Sequence, residues 1–594
     1  MITSRTKVSR IGLAALLLAG VGVPALGQDT PESLLPPGFD DPAPTPAPSP
    51  GPSAAPTRAA DPLAPVVGVA LPADTALGNA AAGEPVSEVP IDLSKYELPE
   101  FAKHSLDRVG AFAAGNAAFP ADSFGSSDGR FLQVLMRRMN APVASRWASI
   151  VLRRALMSPL DTPAGVNGAD FAADRAWALL RMGEANAARG VIEDVDTDNY
   201  TPWLYQVAMQ AALANGDPAA LCPIADKGAA AIAQRGWALA QAMCLGLAGK
   251  PNEAGQSFNR ARSGTSPSDI DNLLAEKVLG TGAQGRRAVT IEWNPVSQLT
   301  AWRWGLATAT GVEVPADLYQ SVGPQVRYWQ ALAPNIDPVA RVASAELAAT
   351  AGVFSNAGLV DLYSEIEQGG DSGAAQTVAR DLRTAYTDGD VGTRIKALRT
   401  LWDAASTPRM RYARLILTAR AASWIPASDK VEDADRLIAS MLSSGYDAAA
   451  HEWRGVVKRG GEGWALLALA DAGGAGVTAG EVTGFGDAGS RRKAQMLLAG
   501  LAGLGRMRSS EAQNAAASLD VEIGGVNSWT QAIDAAGQRG DAATVALLAG
   551  VGMQSVSWDY VAPEALFHIV AAMRAAGMVN YARMIAVEAV TRSA

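Results

Sequence analysis

The fold is decided by residues 171–262, which read FAADRAWALLRMGEANAARGVIEDVDTDNYTPWLYQVAMQAALANGDPAALCPIADKGAAAIAQRGWALAQAMCLGLAGKPNEAGQSFNRAR. Gly183, Gly216 and Gly249 are each 33 residues apart, and an apolar run precedes each of them. A fixed period of this length is typical of repeats built from a pair of helices. Glycine takes the left-handed turn that ends a helix without steric cost. The stretch therefore predicts stacked helical hairpins.

A second helix is predicted after each of these glycines. Small or apolar residues recur five, nine and twelve positions after the glycine, a spacing that places them on one face of a helix. These residues are Ala188, Ile192, Val195, Leu221, Ala225, Gly228, Ala254, Phe258 and Ala261. Small side chains on that face let the second helix lie close to its neighbours.

The segment 250–261 resembles the second helix of the tetratricopeptide family, because Ala254, Phe258 and Ala261 fall on that family's pattern. Tyr205 matches the aromatic residue near the start of the family's first helix. The resemblance implies an α-solenoid and a role in binding rather than a reaction. Each repeat of a solenoid contacts only its neighbours, so a long chain of this kind needs no division into separate domains.

The whole chain is predicted to be an all-α, TPR-like helical-hairpin α-solenoid preceded by a disordered Pro/Ala-rich linker. The predicted regions are a signal peptide over 1–27, the linker over 28–99, an N-terminal helical capping region over 100–169, TPR-like repeats over 170–264, further helical hairpins over 265–442 and C-terminal Gly/Ala-rich helical repeats over 443–594. Within this helical pattern, residues 289–291 alone fit a short β-strand, since all three are β-branched.

The first residues of the chain have the pattern of a secretory signal peptide. Arg5, Lys7 and Arg10 precede an apolar run over 11–23, and the small-residue site 25–27 follows it. A retained anchor is the alternative, although an apolar run of 13 residues is short of the roughly 20 that a spanning helix needs. We expect a periplasmic protein with no stable transmembrane segment after signal removal.

The predicted linker is rich in proline, alanine and aspartate, with proline at every second position from Pro42 to Pro52. Proline lacks a backbone N–H and fixes its own φ, so this segment forms neither a helix nor a β-ladder. Two interpretations remain open. The segment is either a semi-rigid spacer or a docking strip for a proline-binding partner.

The charge of the chain argues against nucleic acid as a partner. The formal net charge is −9, and no basic stripe with interleaved aromatic residues is visible. Arg409, Arg411, Arg414 and Arg420 do cluster, but apolar residues alternate with them. This pattern predicts that the arginines form the solvated side of an amphipathic helix.

The two cysteines of the chain are Cys222 and Cys244. The repeat pattern places Cys222 on the second helix of the middle repeat and Cys244 on the first helix of the next, with the connecting turn predicted over 233–236. Two antiparallel helices joined at that turn hold both thiols at the same height. Because an exported chain meets an oxidising compartment, we predict a Cys222–Cys244 disulfide.

One motif matches a catalytic signature. Residues 125–129 read GSSDG, the pattern of a nucleophile elbow, in which a serine lies on a sharp turn between a strand and a helix. No strand is predicted before this motif. A polar turn that caps the helix starting near Arg130 explains the same residues.

Two other groups of residues are candidates for a metal or catalytic site. Asp194, Asp196 and Asp198 alternate like the opening of a calcium loop, but the sixth and twelfth positions of that loop are Asn199 and Tyr205. A polar connection between repeats explains these residues, and a weak calcium site is the alternative. The three histidines of the chain are scattered. We therefore predict no catalytic, cofactor-binding or metal-binding residues and no cofactor.

The sequence favours a non-enzymatic scaffold of the periplasm that binds an envelope protein through its helical surface. The partner's identity stays open. The alternatives are an accessory subunit or enzyme of cell-wall glycan remodelling, suggested by the superhelical arrays of soluble lytic transglycosylases, and an assembly factor for an envelope machine.

Overall fold

The structure, a computed structural model, describes residues 99–112, 118–139, 142–266, 268–282, 289–370, 373–471 and 476–593. The predicted signal peptide and, apart from Pro99, the predicted linker lie outside these residues. The described residues divide between two units. Residues 99–103 belong to the first and contain a 3-10 turn, Glu100–Ala102, beside an ion pair between Lys103 and Glu100. The second unit begins at His104.

The second unit is an all-α helical-hairpin solenoid, as predicted, with 26 α-helices among its described residues. The helices are α1 (Gly129–Arg138), α2 (Arg146–Met157), α3 (Gly168–Met182), α4 (Ala185–Glu193), α5 (Pro202–Ala214), α6 (Ala225–Ala231), α7 (Arg235–Leu247), α8 (Pro251–Ala261), α9 (Ile270–Gly282), α10 (Ala301–Ala309), α11 (Gln325–Leu332), α12 (Pro338–Thr350), α13 (Asn356–Gly369), α14 (Ala374–Thr387), α15 (Val391–Asp403), α16 (Pro408–Ala422), α17 (Ala434–Ser443), α18 (Asp447–His451), α19 (Glu462–Ala470), α20 (Ala479–Ala488), α21 (Arg491–Gly503), α22 (Ser509–Leu519), α23 (Ser528–Arg539), α24 (Ala542–Gly552), α25 (Pro563–Ala575) and α26 (Val579–Arg592).

The three turn glycines adopt the conformation that their spacing predicts. Gly183, Gly216 and Gly249 have φ values of 102°, 61° and 76°, in the left-handed region, and each follows a helix that ends within two residues of it. The N–H of Gly183 donates to carbonyl oxygens of the last turn of α3, which closes that helix. The hairpins of this region are therefore set by local backbone chemistry.

The second helix of the middle repeat is interrupted. A 3-10 helix, Pro218–Leu221, precedes α6, and Cys222 lies in the turn between them. The placement of Cys222 on a continuous helix was therefore wrong. Pro223 explains the break, since proline lacks the N–H that a helix interior requires.

Short strands are present, but not where the sequence suggested one. Arg108–Val109 (β1) pairs antiparallel with Leu160–Asp161 (β2), and these are the two named strands of the described residues. Residues 289–291 have no regular structure. The β-branched run fails to form a strand because no described segment pairs with it.

Helices from the beginning and the end of the second unit pack against each other. α2 contacts α24 and α26, and α1 contacts α24. Buried side chains from both ends of the unit share one hydrophobic cluster. No helix among the described residues is long and apolar enough to cross a membrane.

The junction between the two ends is centred on Glu588 of α26. Its carboxylate accepts hydrogen bonds from the hydroxyl of Ser145 at 2.6 Å and from the backbone N–H groups of Arg146 and Trp147 at 2.8 and 3.2 Å. Arg592 donates to the same carboxylate at 2.7 Å. Because the free N–H groups of a helix start carry partial positive charge, the Glu588 carboxylate caps α2 from the far end of the chain.

Candidate binding pocket

A pocket of about 380 Å³ lies among α15, α16, α17, α19, α21 and α26. It is lined by Trp402, Pro408, Arg411, Tyr412, Leu415, Asp435, Arg436, Ala439, Glu462, Lys493, Thr591, Arg592 and Ser593. This volume falls in the range of small-ligand sites, which are mostly apolar concavities with a few placed polar groups.

One wall of the pocket is apolar and rigid. Trp402 is buried near the end of α15, and its indole N–H donates to the hydroxyl of Thr418 at 2.8 Å. Pro408 occupies the first turn of α16, where the hydroxyl of Thr407 accepts from the N–H of Met410. Leu415 follows two turns later on the same helix. The start of α16 is thus fixed by its cap, and the apolar wall is fixed with it.

Three of the four cations that line the pocket are already paired. The arginines and the lysine are held by carboxylates of neighbouring elements or of their own helix, which fixes the side chains in place. The pairs are Lys493–Glu462 at 2.8 Å, Arg436–Asp403 at 2.7 Å and Arg592–Glu588 at 2.7 Å. These three cations line the pocket, but their charges are largely neutralised by carboxylates of the chain itself.

Arg411 and Asp435 are the two lining charges without an ion-pair partner among the described residues. Arg411 is exposed on α16, and its guanidinium forms no hydrogen bond with the described residues. One oxygen of Asp435 accepts from the N–H of Gly463 at 3.0 Å. Loss of solvent around the Asp435 carboxyl raises its pKa, and the negative charge of Glu462 acts in the same direction.

Two buried hydroxyl groups belong to residues of the pocket lining. Tyr412 and Ser593 are each 3% exposed, and neither hydroxyl oxygen has a hydrogen-bond partner in the described structure. Burial raises the pKa of the Tyr412 phenol, so that the group is a hydrogen-bond donor at neutral pH. The guanidinium of Arg592 lies over the same ring, 4.7 Å from its centroid. Both oxygen atoms have almost no accessible surface, so they are buried behind the pocket wall and are not open to a ligand in the pocket.

The predicted solvated arginine face of α16 is only partly correct. Arg409, Arg411 and Arg420 are exposed, but Arg414 is buried. The guanidinium of Arg414 pairs with Glu346 at 3.0 Å. α16 contacts α12 and α13 as well as α15 and α17, so helices cover it on several sides. The periodic pattern of one helix does not show that other helices pack against it on several sides.

The predicted cysteine pair comes together. The Sγ atoms of Cys222 and Cys244 are 2.09 Å apart and their Cα atoms 5.3 Å apart, as in a disulfide. The bond joins the turn before α6 to α7. It lies in the repeat region and contributes no residue to the pocket.

The GSSDG segment is a helix start. Asp128 is the residue before α1, and its carboxylate accepts from the N–H of Phe131 at 2.9 Å. The hydroxyl of Ser127 lies 3.1 Å from that of Thr544 in α24. The capping interpretation is therefore confirmed, and these side chains also contribute to the contact between the two ends of the unit.

The alternating aspartates do not converge on one point. Asp194 accepts from the N–H of Gly110 at 2.8 Å. Asp196 accepts from the N–H of His104 at 2.9 Å, and Asp198 pairs with Lys227. No group of three metal-binding side chains occurs among the described residues.

One buried histidine pairs with a carboxylate. His568 is 4% exposed, and its Nδ1 lies 2.9 Å from Asp534. The two residues lie on α25 and α23, which pack together. This pair could not be predicted from the sequence, because its members are 34 positions apart and meet only through helix packing.

The pocket itself was missed by sequence reasoning. Its lining residues come from six helices between positions 402 and 593. The only local signal was the arginine cluster of α16. This cluster contains Arg411, which directly precedes Tyr412 in the sequence. No protein family matches this chain, and neither a curated protein nor a solved structure was found that resembles it.

Proposed function

We propose that this chain is a non-enzymatic periplasmic scaffold that binds an envelope polypeptide, and that the pocket of α15–α17, α19, α21 and α26 is the point of attachment. The observation that carries the proposal is that this pocket contains two charged groups without an ion-pair partner among the described residues, Arg411 and Asp435. Rigid helices position these groups beside an apolar wall. Such an arrangement suits a bound side chain of a partner.

The hydroxyls of the residues that line the pocket do not favour nucleophilic catalysis. A catalytic serine or tyrosine is activated by a base within hydrogen-bond distance. The Tyr412 and Ser593 hydroxyls have no hydrogen-bond partner in the described structure, and their oxygen atoms are buried. They are therefore neither activated nor accessible to a substrate.

A second candidate is an accessory subunit or enzyme acting on cell-wall glycan. It is favoured by the occurrence of two carboxylates, Asp435 and Glu462, in one pocket, where the loss of solvent and the charge of Glu462 raise the pKa of Asp435. Paired carboxylates are the usual catalysts of glycoside cleavage. Against it, Glu462 is held by Lys493, and Asp435 accepts from a backbone N–H.

Crosslinking in the native envelope tests the scaffold proposal. A photoreactive amino acid is placed at position 411, and at position 380 as a control, since Arg380 is an exposed arginine of α14 outside the pocket. We expect a polypeptide adduct, identified by mass spectrometry, from position 411 but not from position 380. The purified partner must then bind the purified chain. No adduct at 411, or equal adducts at both positions, contradicts the proposal.

Glycan cleavage separates the second candidate. Purified protein is incubated with cell-wall glycan, and soluble fragments are measured. Under the scaffold proposal no fragments are released. Release that is lost in Asp435→Asn or Glu462→Gln, but kept in Arg380→Gln, would establish the enzyme instead.

A further inference from the structure

The Cys222–Cys244 bond fastens the shortest helix of the repeat region. α6 has seven residues, and the bond joins the turn before it to the last turn of α7. At its other end, a short connection over 232–234 leads from α6 into α7. A helix of fewer than about 12 residues is marginal in water when it stands alone. α6 therefore depends on its two attachments and on its packing.

The packing of α6 uses small side chains. Ala225 and Gly228 are its buried residues, and Ile224 and Ile232 flank it at its two ends. The start of the helix has no side-chain cap, because isoleucine occupies the N-cap position. Burial of a small side chain removes little apolar area from water, so these contacts hold α6 weakly.

The neighbouring repeats have a larger anchor at the position of Ala225. Nine residues after the turn glycine, their second helices carry Ile192 and Phe258, which are 3% and 1% exposed. Ala225 is equally buried but much smaller. Of the three second helices, α6 is the one whose start is bonded to another helix. The bond thus takes the place of a missing apolar anchor.

α6 covers an aromatic pair. Trp237 is fully buried, and a Cβ at Gly228 would lie 2.5 Å from its ring. The rings of Trp237 and Tyr205 meet edge to face, with their centroids 5.9 Å apart. Displacement of α6 removes the Gly228 backbone from the Trp237 ring, so that ring becomes exposed to solvent.

The bond controls whether α6 can move away. While Cys222 is bonded to Cys244, the start of the α6 segment, defined as residues 223–232, stays at α7. The 3-10 helix before Cys222 is held independently, since Pro218 and Leu221 are buried. Movement after reduction is therefore confined to the α6 segment.

We propose that the Cys222–Cys244 bond is a redox switch that a dithiol reductant opens, which releases the α6 segment from Trp237. Both cysteines are half-buried rather than fully enclosed. A thiolate of the reductant attacks one sulfur and forms a mixed disulfide, and the other cysteine leaves as a thiolate. The second thiol of the reductant then attacks the mixed disulfide. The reductant becomes a disulfide, and the chain gains two electrons and two protons as two thiols.

Amide hydrogen exchange of the full chain tests the switch. The oxidised chain is compared with chain reduced by dithiothreitol, and the exchange is resolved by mass spectrometry of peptides. We expect the amides of 224–232 to exchange at least about tenfold faster after reduction, because the helix loses one attachment and opens locally. α8 keeps its Phe258 anchor and is the internal control. Unchanged protection in 224–232, or equal acceleration in α8, overturns the inference.

Hydroxyl-radical footprinting measures the exposure of Trp237 directly. The chain with Cys222→Ser and Cys244→Ser is compared with the oxidised wild type, so no reductant is present to consume the radicals. Oxidation of Trp237 should rise at least about fivefold in the variant, since the ring loses its cover. Trp453 is fully buried elsewhere in the chain and should stay unchanged. No rise at Trp237, or an equal rise at Trp453, contradicts uncovering by α6.

The rate of reduction separates a switch from a purely structural bond. A bond that is attacked in the folded chain is reduced at a rate proportional to the dithiothreitol concentration, and urea below the unfolding transition does not change that rate. A bond that only global unfolding exposes is reduced faster as urea lowers the stability. We expect the first behaviour, and the second contradicts the proposal. The α6 segment contributes no residue to the pocket, so these tests are independent of the proposed function.

Discussion

Gly228 is the small residue on which the packing of α6 depends. A Cβ built at this position would lie 2.5 Å from Cζ3 of Trp237, whose side chain is fully buried in α7. The ring has no free volume into which it can move, so Gly228→Ala should lower the free energy of unfolding by about 1–3 kcal/mol. Urea denaturation followed by circular dichroism measures the effect.

Gly484 provides the control for this substitution. It lies in α20, and a Cβ built at this position has no atom within 4 Å apart from its chain neighbours and the backbone of its own helix. Alanine there should raise stability slightly, since glycine costs about 0.5–1 kcal/mol in a helix interior. If Gly228→Ala were as stable as the wild type, the close contact with Trp237 would be absent in solution.

The cysteine pair gives a second prediction at this scale. Protein isolated without reductant should incorporate no alkylating reagent, since both sulfurs are bonded. Replacing both Cys222 and Cys244 with serine should cost about 3 kcal/mol, because the bond closes a short loop in the unfolded chain. Intact-mass analysis decides the first point and chemical denaturation the second. Two alkylated thiols per unreduced chain would contradict the bond.

Single residues divide into those whose role is local and those whose role depends on packing. The turn at Gly183 was predictable, because a positive φ belongs to the residue itself and its immediate neighbours. The burial of Arg414 was not, because Glu346 approaches it from another helix. The pocket hydroxyls of Tyr412 and Ser593 belong to the second class.

Buried arginines at helix C-termini are a recurring feature at the scale of elements. The last carbonyl groups of a helix have no partner within it, and a guanidinium can supply several donors at once. Arg175 is 1% exposed and donates to the carbonyl oxygens of Leu156 and Ser158 at the end of α2 and of Val109 in β1. Burial lowers the pKa of Arg175 to about 10, so it stays charged at neutral pH.

The same device closes other helices. Carbonyl oxygens at the ends of these helices accept from guanidinium groups that come from distant parts of the chain or from the next helix. The contacts are Arg146 to Ala349 and Arg592 to Thr350 at α12, Arg394 to Ala385 at α14, and Arg506 to Ala468 and Arg583 to Ala470 at α19. Arginine thus fixes the angle at which neighbouring elements meet.

Arg175→Lys tests this role. A lysine keeps the charge but has a single ammonium, which cannot reach the three carbonyl groups together. We expect a loss of about 3 kcal/mol in the free energy of unfolding, because buried carbonyls lose their partners. Arg138→Lys is the control, since Arg138 is exposed on α1 and has no partner among the described residues. Equal stabilities of the two variants would mean that charge alone suffices at position 175.

The elements themselves were largely predictable, and their arrangement was not. Glycine and proline mark where helices end, so the hairpins follow from the sequence. The break at Pro223 follows from the same effect of proline on a helix, but the repeat pattern continues across this position and predicts a helix there. The pocket needs six helices in fixed positions, which no local pattern specifies.

The contact between α2 and α26 joins the two ends of the second unit. Glu588 is 1% exposed and carries the hydrogen bonds that join α26 to the start of α2. Glu588→Gln should lower the free energy of unfolding by about 3 kcal/mol or more, because Arg592 loses its buried charged partner. Amide hydrogen exchange should then accelerate first in α24 and α26. Glu313→Gln, at an exposed residue, is the control. Uniform acceleration over all helices would contradict a role specific to this junction.

The Glu588 junction also affects the order in which the chain matures. Ser145 and Glu588 are 443 residues apart, so α2 meets its cap only when nearly all of the described sequence has emerged. Contacts at such long sequence separation slow folding. Until these contacts form, the incompletely folded chain exposes apolar surface. Leu152 and Leu156 of α2 are buried in the finished unit and would lack part of their cover in a truncated chain. Chains interrupted before α26 should therefore be more sensitive to proteases than chains that contain it, because they lack both the Glu588 cap and part of the apolar cover of α2.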